Sequence, residues 1–164
     1  MDFNHFLSAY LKDPAYGGVR LYKDMVAQAK QAEACGYRGV TIPEHHLINI
    51  LLVPSPLQMA AYLGAVTRRI ELVTSVAVLP IRDMRVFAGE VIQASNLTDG
   101  RLVLGVGRGA FAYEVERLGV PYAELKPKFE ESLAVLEALL TKEEVSWDGK
   151  YYKFDKLTAM PRPE

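Results

Sequence analysis

The sequence predicts an α/β fold with a parallel sheet, and three observations lead to that prediction. Segments with strand character and segments with helix character alternate four times along the 164 residues. The predicted strands are apolar on both faces, as parallel strands between layers of helices are. Half of the residues are apolar and 24% are charged, which is the composition of a folded globular chain. The length predicts a single domain over residues 1–164.

The first strand is predicted over residues 3–10, which form a short apolar run. Residues 21–35 carry apolar side chains at helical spacing, and Gly36 supplies a C-terminal stop. Cys35, the last residue of this helix, is predicted to be a small packed side chain. Residues 39–42 are β-branched and short, so they predict the second strand.

The second and third helices follow a loop over residues 43–55. Pro56 suits the first turn of a helix, which is predicted to continue to about Thr67. Residues 70–79 have the strongest strand pattern in the chain, and the third helix is predicted over residues 85–97.

The last predicted elements are a strand over 102–106, a helix over 127–140 and a hairpin over 144–154 with an Asp-Gly turn. Trp147 is predicted to be a packing anchor beside that turn. Four apolar side chains are predicted to share one face of the last helix: Phe129, Leu133, Leu136 and Leu140.

This alternation fits two architectures. One is a doubly wound open sheet, and the other is part of an eight-stranded βα barrel. A whole barrel takes about 250 residues, so this chain would make about half of one.

Composition and charge exclude several classes of function. Nineteen basic residues nearly balance twenty acidic ones, so the net charge of -1 leaves no basic surface for nucleic acid. No apolar run reaches the ~20 residues of a membrane helix, and the N-terminus has no secretory signal pattern. A single cysteine excludes an internal disulfide and fits a reducing compartment, so we expect a cytoplasmic protein.

Glu44, His45 and His46 follow the second predicted strand, where active-site groups of parallel α/β folds collect. Neighbouring residues of an extended chain point in opposite directions, so these three cannot converge on one metal ion. Two interpretations stay open: a loop-capping trio with one packed histidine, or a histidine that enters a pocket as an acid, base or hydrogen-bond donor. By the same alternation, His45 is predicted to face the cavity and His46 to pack elsewhere.

A glycine-rich segment, residues 105–109, begins at the end of the fourth predicted strand and continues beyond it. Its third glycine comes one residue too early for the dinucleotide fingerprint, which also belongs after the first strand. The glycines can serve a tight turn with positive φ, or they can let the backbone approach a ligand. Arg108 within the segment favours a bound phosphate, because a guanidinium pairs with phosphate oxygens.

Thr74, Ser75 and Val76 are small residues within the third predicted strand. Such residues can leave room for a flat ligand. Their composition alone favours ordinary packing instead.

The chain carries an ordered series of short motifs, which are Pro43-Glu44-His45-His46, Pro54-Ser55-Pro56-Leu57, Thr67-Arg68-Arg69-Ile70-Glu71-Leu72, Val78-Leu79-Pro80, Asp99-Gly100-Arg101-Leu102, Gly105-Val106-Gly107-Arg108-Gly109, Phe129-Glu130-Glu131 and Trp147-Asp148-Gly149-Lys150-Tyr151-Tyr152. Each motif alone has little specificity, but the ordered set is specific. Together they resemble the bacterial luciferase-like, flavin-dependent monooxygenases, and the resemblance extends from about Phe3 to Pro163.

The resemblance implies a TIM-type (β/α)8 barrel, of which this chain supplies about the first four βα units and stops before the fifth strand. It implies that reduced FMN, delivered by a separate flavin reductase, lies at the carboxyl ends of the strands. Oxygen would add to the flavin as a peroxide that oxidises a small organic substrate. The full-length protein is expected to be a homodimer, and the isolated fragment is expected to be inactive.

The resemblance also implies roles for individual residues. His45 corresponds to the family's active-site histidine, with Glu44 beside it. Two positions, Ser75 and Val76, correspond to a strand position where the family often has a non-proline cis peptide against the flavin ring. Three further positions correspond to contacts with the flavin phosphate: Arg108, Ala110 and Lys126.

Two alternatives remain for the function. A deazaflavin-dependent hydride-transfer oxidoreductase belongs to the same superfamily, although the Glu-His-His motif favours FMN. A non-catalytic subunit-interaction protein is the alternative if the barrel ends with this chain.

Two surface expectations accompany the barrel. In a half-barrel the inner face loses its partners, and five side chains are expected to be exposed there: Leu72, Val76, Val78, Leu104 and Val106. A dimer is expected to use the helices after the second and third strands. The third helix has more apolar residues than one buried stripe needs, namely Val86, Phe87, Val91, Ile92 and Ala94.

Overall fold

The computed structural model describes residues 1–163 and contains five α-helices and eight short strands. The helices are α1 (Gly18–Ala34), α2 (Pro56–Val66), α3 (Met84–Leu97), α4 (Ala112–Arg117) and α5 (Leu125–Thr141). The strands are β1 (Asn4–Phe6), β2 (Gly39–Ile42), β3 (Glu71–Thr74), β4 (Ala77–Val78), β5 (Leu102–Val103), β6 (Val106–Gly107), β7 (Val145–Asp148) and β8 (Lys153–Leu157). Over residues 1–163, no helix combines the length and apolarity needed to cross a bilayer.

The chain forms two compact units. The first unit comprises Met1–Ala77 and Ala94–Gly105. The second comprises Val78–Gln93 and the residues from Val106 onward.

The first unit contains a parallel sheet of four strands in the order β1-β2-β3-β5. This is also their order along the chain, without the reversal that defines a doubly wound sheet. Of the two predicted architectures, the sheet therefore has the strand order of a barrel wall.

One face of the sheet is buried under α1 and α2. Val40 and Leu72 are register partners in adjacent strands, and both are fully buried. They share a core cluster with Met25 of α1 and Leu63 of α2. The expectation that Leu72 lies on the exposed inner face is therefore wrong, because the two-residue period of the strand turns it toward the helices.

The opposite face of the sheet carries a row of less buried residues. Phe6, Thr41, Val73 and Val103 are successive register partners across the four strands. Phe6 and Val103 are each 44% exposed, and Thr41 and Val73 are half-buried. This row is therefore the less buried face of the sheet.

Three predicted strands are interrupted or shorter than the sequence pattern. The first ends at Phe6, because the chain then leaves the sheet and Leu52 N donates to Ala9 O at 2.8 Å. The third is divided between β3 and β4 at Ser75 and Val76. The fourth is divided between β5 and β6 at Gly105, whose N–H is taken by the Thr74 hydroxyl.

The predicted helices are confirmed with ends that differ by up to three residues, and α4 is an additional short helix. Six residues make fewer than two turns, so α4 leaves no apolar period in the sequence. Cys35 is exposed, which corrects the packed position predicted for it. It lies at the C-cap of α1, where Gln31 Nε2 is 3.3 Å from its sulfur.

In the second unit, the buried face of α5 is offset from the predicted one: Leu136 is buried as predicted, but Leu133 is not. Leu133 is 39% exposed, while Ser132, Val135 and Leu139 are buried. The Ser132 hydroxyl lies 3.0 Å from the hydroxyl of Tyr152 beside the hairpin, which explains why a polar residue is on the buried face.

The predicted hairpin is confirmed as β7 and β8, with a longer turn than Asp-Gly. The Glu131 carboxylate accepts the backbone N–H groups of Lys150, Tyr151 and Tyr152 at 3.0–3.1 Å, and this fixes the wider turn. Trp147 Nε1 donates to the same carboxylate at 3.2 Å, so the tryptophan anchors the turn as predicted.

Candidate functional site

The carboxyl ends of β2 and β3 lie next to each other in the first unit. Ile42 and Thr74 are register partners, and Ser75 N donates to Ile42 O at 2.7 Å. Pro43 and Glu44 follow Ile42 directly. The sheet therefore brings the Glu44 segment and the Ser75-Val76 segment to one edge, as its parallel arrangement predicts.

Glu44 is paired with His46. His46 Nε2 lies 2.6 Å from Glu44 Oε1. The Glu44 side chain is 0% exposed and that of His46 is 19% exposed. Residues two apart share a face of an extended chain, and Glu44 and His46 have that spacing. For acid–base chemistry, the site therefore provides a buried carboxylate bonded to an imidazole.

Ser75 and Val76 are exposed at the break between β3 and β4. The peptide bond that joins them is cis, the backbone feature that the family resemblance implies at this position. Val76 is 37% exposed, so it presents an apolar side chain at the edge of the sheet. Thr74, the residue before them, is buried and makes hydrogen bonds to Gly105 at 2.8 and 2.9 Å.

Arg108 and Ala110 lie in the second unit, in the loop after β6. Gly109 between them has φ of 84°, which confirms the tight-turn interpretation of that glycine. Arg108 is exposed, and among residues 1–163 no side chain or backbone group makes a hydrogen bond or ion pair with it. Its guanidinium has the five donors that an anionic ligand can use.

Lys126 lies in the first turn of α5, also in the second unit. Its ammonium is 3.8 Å from the Glu130 carboxylate one turn along the helix, and the two side chains are 76% and 63% exposed. An exposed pair at this spacing contributes little to stability, so the lysine can exchange this partner for another anion.

The structure thus brings together Glu44, Ser75 and Val76 in the first unit, while Arg108, Ala110 and Lys126 belong to the second. Two residues were missed by sequence reasoning: His46, as the partner of Glu44, and Thr74, as the support of Gly105. The alternation of an extended chain could have indicated His46. Across the described residues 1–163, no three His, Cys, Asp or Glu side chains form a metal-ligand cluster.

The sequence is similar to those of characterised monooxygenases. It is 28% identical over 88% of its length to the oxygenase component of the flavin-dependent trigonelline monooxygenase of Acinetobacter baylyi. It is 33% identical, again over 88% of its length, to the 4-hydroxyprotoasukamycin monooxygenase of Streptomyces nodosus subsp. asukaensis. The alignments cover 40% and 38% of those two proteins, so the chain spans less than half of their length.

Solved structures give the same fold. The monooxygenase RslO1 of Streptomyces bottropensis superposes with a TM-score of 0.92 at 26% identity, over 99% of this chain and 50% of that one. The oxygenating constituent of the 3,6-diketocamphane monooxygenase of Pseudomonas putida, solved with FMN, gives 0.88 at 23% identity, over 98% and 45%. An F420-dependent secondary alcohol dehydrogenase gives 0.81 at 18% identity, over 99% and 48%.

Two of these three structures are monooxygenases, and the chain has the fold of about half of a luciferase-like TIM barrel. The description of the luciferase-like monooxygenase family matches residues 1–164, which is the whole chain. The strand order of the sheet agrees with that match. The chain belongs to the luciferase-like monooxygenase family.

Proposed function

We propose that residues 1–164 are the N-terminal half of a (β/α)8 barrel in a flavin-dependent monooxygenase that oxidises a small organic substrate. The family match over residues 1–164 carries this proposal, because relatives named as flavin-dependent monooxygenases share that family. The row of Phe6, Thr41, Val73 and Val103 supports the half-barrel, since side chains from further strands would fill that face.

We propose reduced FMN as the cofactor, at the carboxyl ends of the strands. When bound, it supplies the electrons with which one atom of O2 is transferred to the substrate and the other leaves as water. The phosphate-binding residues in this proposal are Arg108, the backbone N–H of Ala110, and Lys126. They suit an anion, because Arg108 is exposed, Gly109 gives the loop its left-handed turn, and Lys126 pairs with a Glu130 carboxylate that is itself exposed.

The residues at the ends of β2 and β3 have separate tasks in this proposal. Val76 and the Ser75-Val76 peptide offer an apolar edge for the flat flavin ring. His45 holds or moves a proton beside the substrate. Glu44 is the buried carboxylate behind this segment.

The proposed partners are O2, the substrate and a separate flavin reductase that delivers reduced FMN. The naming of one relative as an oxygenase component supports a separate reductase. We also propose a homodimer in the cytoplasm. Its surface on α3 is smaller than the sequence predicts, because Val86 is 62% exposed while Phe87, Val91, Ile92 and Ala94 are buried.

The alternative cofactor is a deazaflavin that transfers hydride. The F420-dependent dehydrogenase among the fold neighbours supports this alternative at the level of the fold alone. The alternative in which the protein is not an enzyme is a non-catalytic subunit-interaction protein.

The deciding experiment uses the full-length protein, which is the natural protein that carries residues 1–164. It is incubated with 18O2, with FMN kept reduced by a flavin reductase and NADH, and with a panel of small ketones, aldehydes, terpenes and aromatic acids. We expect one 18O atom in a product detected by mass spectrometry. A parallel reaction supplies reduced deazaflavin without a reductase. Turnover in that reaction alone would show a hydride-transfer enzyme instead of a monooxygenase. If neither reaction forms a product, the result would favour the non-catalytic alternative.

A further inference from the structure

We propose that residues 47–52, in the loop after β2, form a wall of the substrate pocket that selects an uncharged, apolar substrate, with Leu47 and Ile50 as the specificity-determining side chains. The inference rests on the proposed function, because only such an enzyme binds a substrate at this edge of the sheet. It adds a substrate class to that proposal.

The 47–52 segment is apolar although part of it faces solvent. Its sequence is Leu-Ile-Asn-Ile-Leu-Leu, which has aliphatic side chains at every position except Asn49 and carries no charge. Leu47 is 56% exposed and Ile50 is 37% exposed. Single apolar side chains are normal on a protein surface, but two of them in one short uncharged segment indicate a surface that binds an apolar partner.

The core of the first unit uses only the end of this segment. Leu52 packs against the buried core cluster, and Val53 directly after it is 2% exposed. Leu47 and Ile50 are exposed, so they add little to that core. Packing within residues 1–163 therefore does not account for their apolar character.

Backbone hydrogen bonds fix the segment beside the loop that follows β1. Leu11 N donates to Asn49 O at 2.9 Å, and Leu52 N donates to Ala9 O at 2.8 Å. The two loops therefore form one surface at the carboxyl ends of β1 and β2.

The backbone of the segment is strained at two positions. Leu47 and Leu51 have φ of 61° and 50°, in the left-handed region that leucine rarely adopts. Such conformations persist where the surrounding structure fixes them, and they cluster at ligand-binding sites. This strain is a second observation that favours a binding role for the segment.

The position of the segment favours a small molecule as the occupant. The loop leaves the sheet at Ile42, whose carbonyl accepts from Ser75 N at 2.7 Å. Val76, next to Ser75, is 37% exposed, so two neighbouring strand ends carry apolar surface. Further strands of a barrel would pair along the sheet edges at β1 and β5, whereas loops at the carboxyl ends surround the ligand.

The chemistry of the segment sets the class of that molecule. Residues 47–52 have no charged side chain, so they give an ionised substrate no partner. On the neighbouring loop, the ammonium of Lys12 lies 5.3 Å from the centre of the Tyr10 ring. Contact with Leu47 and Ile50 removes apolar surface from water, which favours ketones, aldehydes and terpenes over aromatic acids.

The test is titration calorimetry of the full-length protein with 1-alkanols of about six to ten carbons, without reduced flavin. We expect the affinity to rise by up to about fourfold for each added methylene. Leu47→Asn should weaken the binding of 1-decanol about fivefold, because about half of the leucine side chain is available for burial by a ligand. Asparagine tolerates a left-handed φ, so this change removes apolar surface without adding backbone strain.

Leu97→Asn is the matched control. Leu97 is 58% exposed and is the last residue of α3, ahead of β5 and therefore at the opposite end of the sheet. This variant should bind 1-decanol as the unmodified protein does. Ile50→Thr, which keeps a β-branched side chain, replaces Leu47→Asn if urea unfolding shows that Leu47→Asn does not fold.

Several results would overturn the inference. Absence of 1-decanol binding, or equal losses in Leu47→Asn and Leu97→Asn, would remove the segment from the pocket. Tighter binding of decanoate than of 1-decanol would show that an anion is selected, with Lys12 as the candidate cation. Unchanged 1-decanol binding in Leu47→Asn, together with a loss of binding to phosphatidylcholine vesicles or of self-association in light scattering, would assign the surface to a lipid or to a second copy.

The alkanol titrations separate this inference from the proposed function, because they need neither reduced flavin nor oxygen. Absence of turnover with reduced FMN would refute the proposed function and leave the apolar binding site standing. Turnover with FMN that is equally efficient in Leu47→Asn, Ile50→Thr and the unmodified protein would refute the inference alone.

Discussion

The hydroxyl of Thr74 and the backbone of Gly105 are joined by two hydrogen bonds across 31 residues of sequence. Thr74 Oγ1 donates to Gly105 O at 2.8 Å and accepts from Gly105 N at 2.9 Å. Thr74 is 1% exposed, so a buried side chain holds Gly105 at the break between β5 and β6, where Ala77 N also donates to Gly105 O at 2.8 Å. Ser75 and Val76 follow immediately, so this contact positions the edge proposed to face the flavin ring.

Thr74→Val should destabilise the full-length protein by about 1 kcal/mol, because it leaves the half-buried N–H of Gly105 without its acceptor, while Gly105 O keeps the bond from Ala77 N. Urea unfolding measures the change as a lower midpoint at constant slope. Thr74→Ser keeps the hydroxyl and should cost less. Equal midpoints for Thr74→Val and Thr74→Ser would show that the hydroxyl is not the important group.

Gly105→Ala should destabilise the protein by about 1–3 kcal/mol or more, because a Cβ on Gly105 would overlap the carbonyl oxygen of Thr74. The obstacle is backbone, which cannot move aside as a flexible side chain can. Gly18→Ala is the matched control, since nothing lies within 4 Å of a Cβ there. Thermal melting should show a lower midpoint for Gly105→Ala only, and a midpoint within error of Gly18→Ala would contradict the overlap.

These two residues also mark the limit of prediction from sequence. Residues 70–79 and 102–106 have the apolar pattern of continuous strands, and that pattern correctly located the parallel sheet. The interruptions at Ser75 and Gly105 depend on a contact between distant residues, which no local period records. The offset of the buried face of α5 has the same origin, since Ser132 is buried by its bond to Tyr152.

Glu33 supplies a prediction about pH. Its carboxylate accepts the backbone N–H groups of Arg68, Arg69 and Ile70 at 2.7–3.2 Å, which joins α1 to the start of β3. Burial acts to raise the pKa of Glu33, but these three N–H groups and the charge of Arg69 outweigh it and hold the pKa below its usual range. A carboxyl whose pKa is lower in the folded state stabilises that state when it is ionised.

Glu33→Gln should therefore destabilise the protein by about 1 kcal/mol at pH 7, where the carboxylate is ionised in both the folded and unfolded states. The difference should persist down to the ordinary glutamate pKa of about 4.3 and disappear as the pH falls through the lower pKa of the folded protein. Urea midpoints measured from pH 7 to pH 3 check this sign. A difference between the two proteins that grows toward acid pH would show that Glu33 does not act as an ionised acceptor.

The candidate site was predictable to a similar extent. The position of Glu44, His45 and His46 after β2 follows from the strand pattern and from the general location of sites in parallel sheets. The pairing of Glu44 with His46 follows only when the two-residue period is applied to the carboxylate as well as to the histidines. The turn at Gly109 was indicated by composition, whereas α4 beyond it was too short to leave a period.

The last prediction concerns Arg108 and the phosphate proposed to bind it. A hydrogen bond to a charged group contributes about 1.5–3 kcal/mol, and about 1.4 kcal/mol corresponds to a tenfold change in affinity. Arg108→Ala in the full-length protein should therefore weaken FMN binding roughly tenfold or more and leave riboflavin binding unchanged, because riboflavin has no phosphate. Arg117→Ala is the control, since Arg117 is also an exposed arginine of the second unit but its guanidinium donates to Tyr113 O at 3.1 Å. Titration calorimetry with both flavins measures the four affinities. Equal affinity of the unmodified protein for FMN and riboflavin, or equal losses in the two variants, would remove Arg108 from the proposed phosphate site.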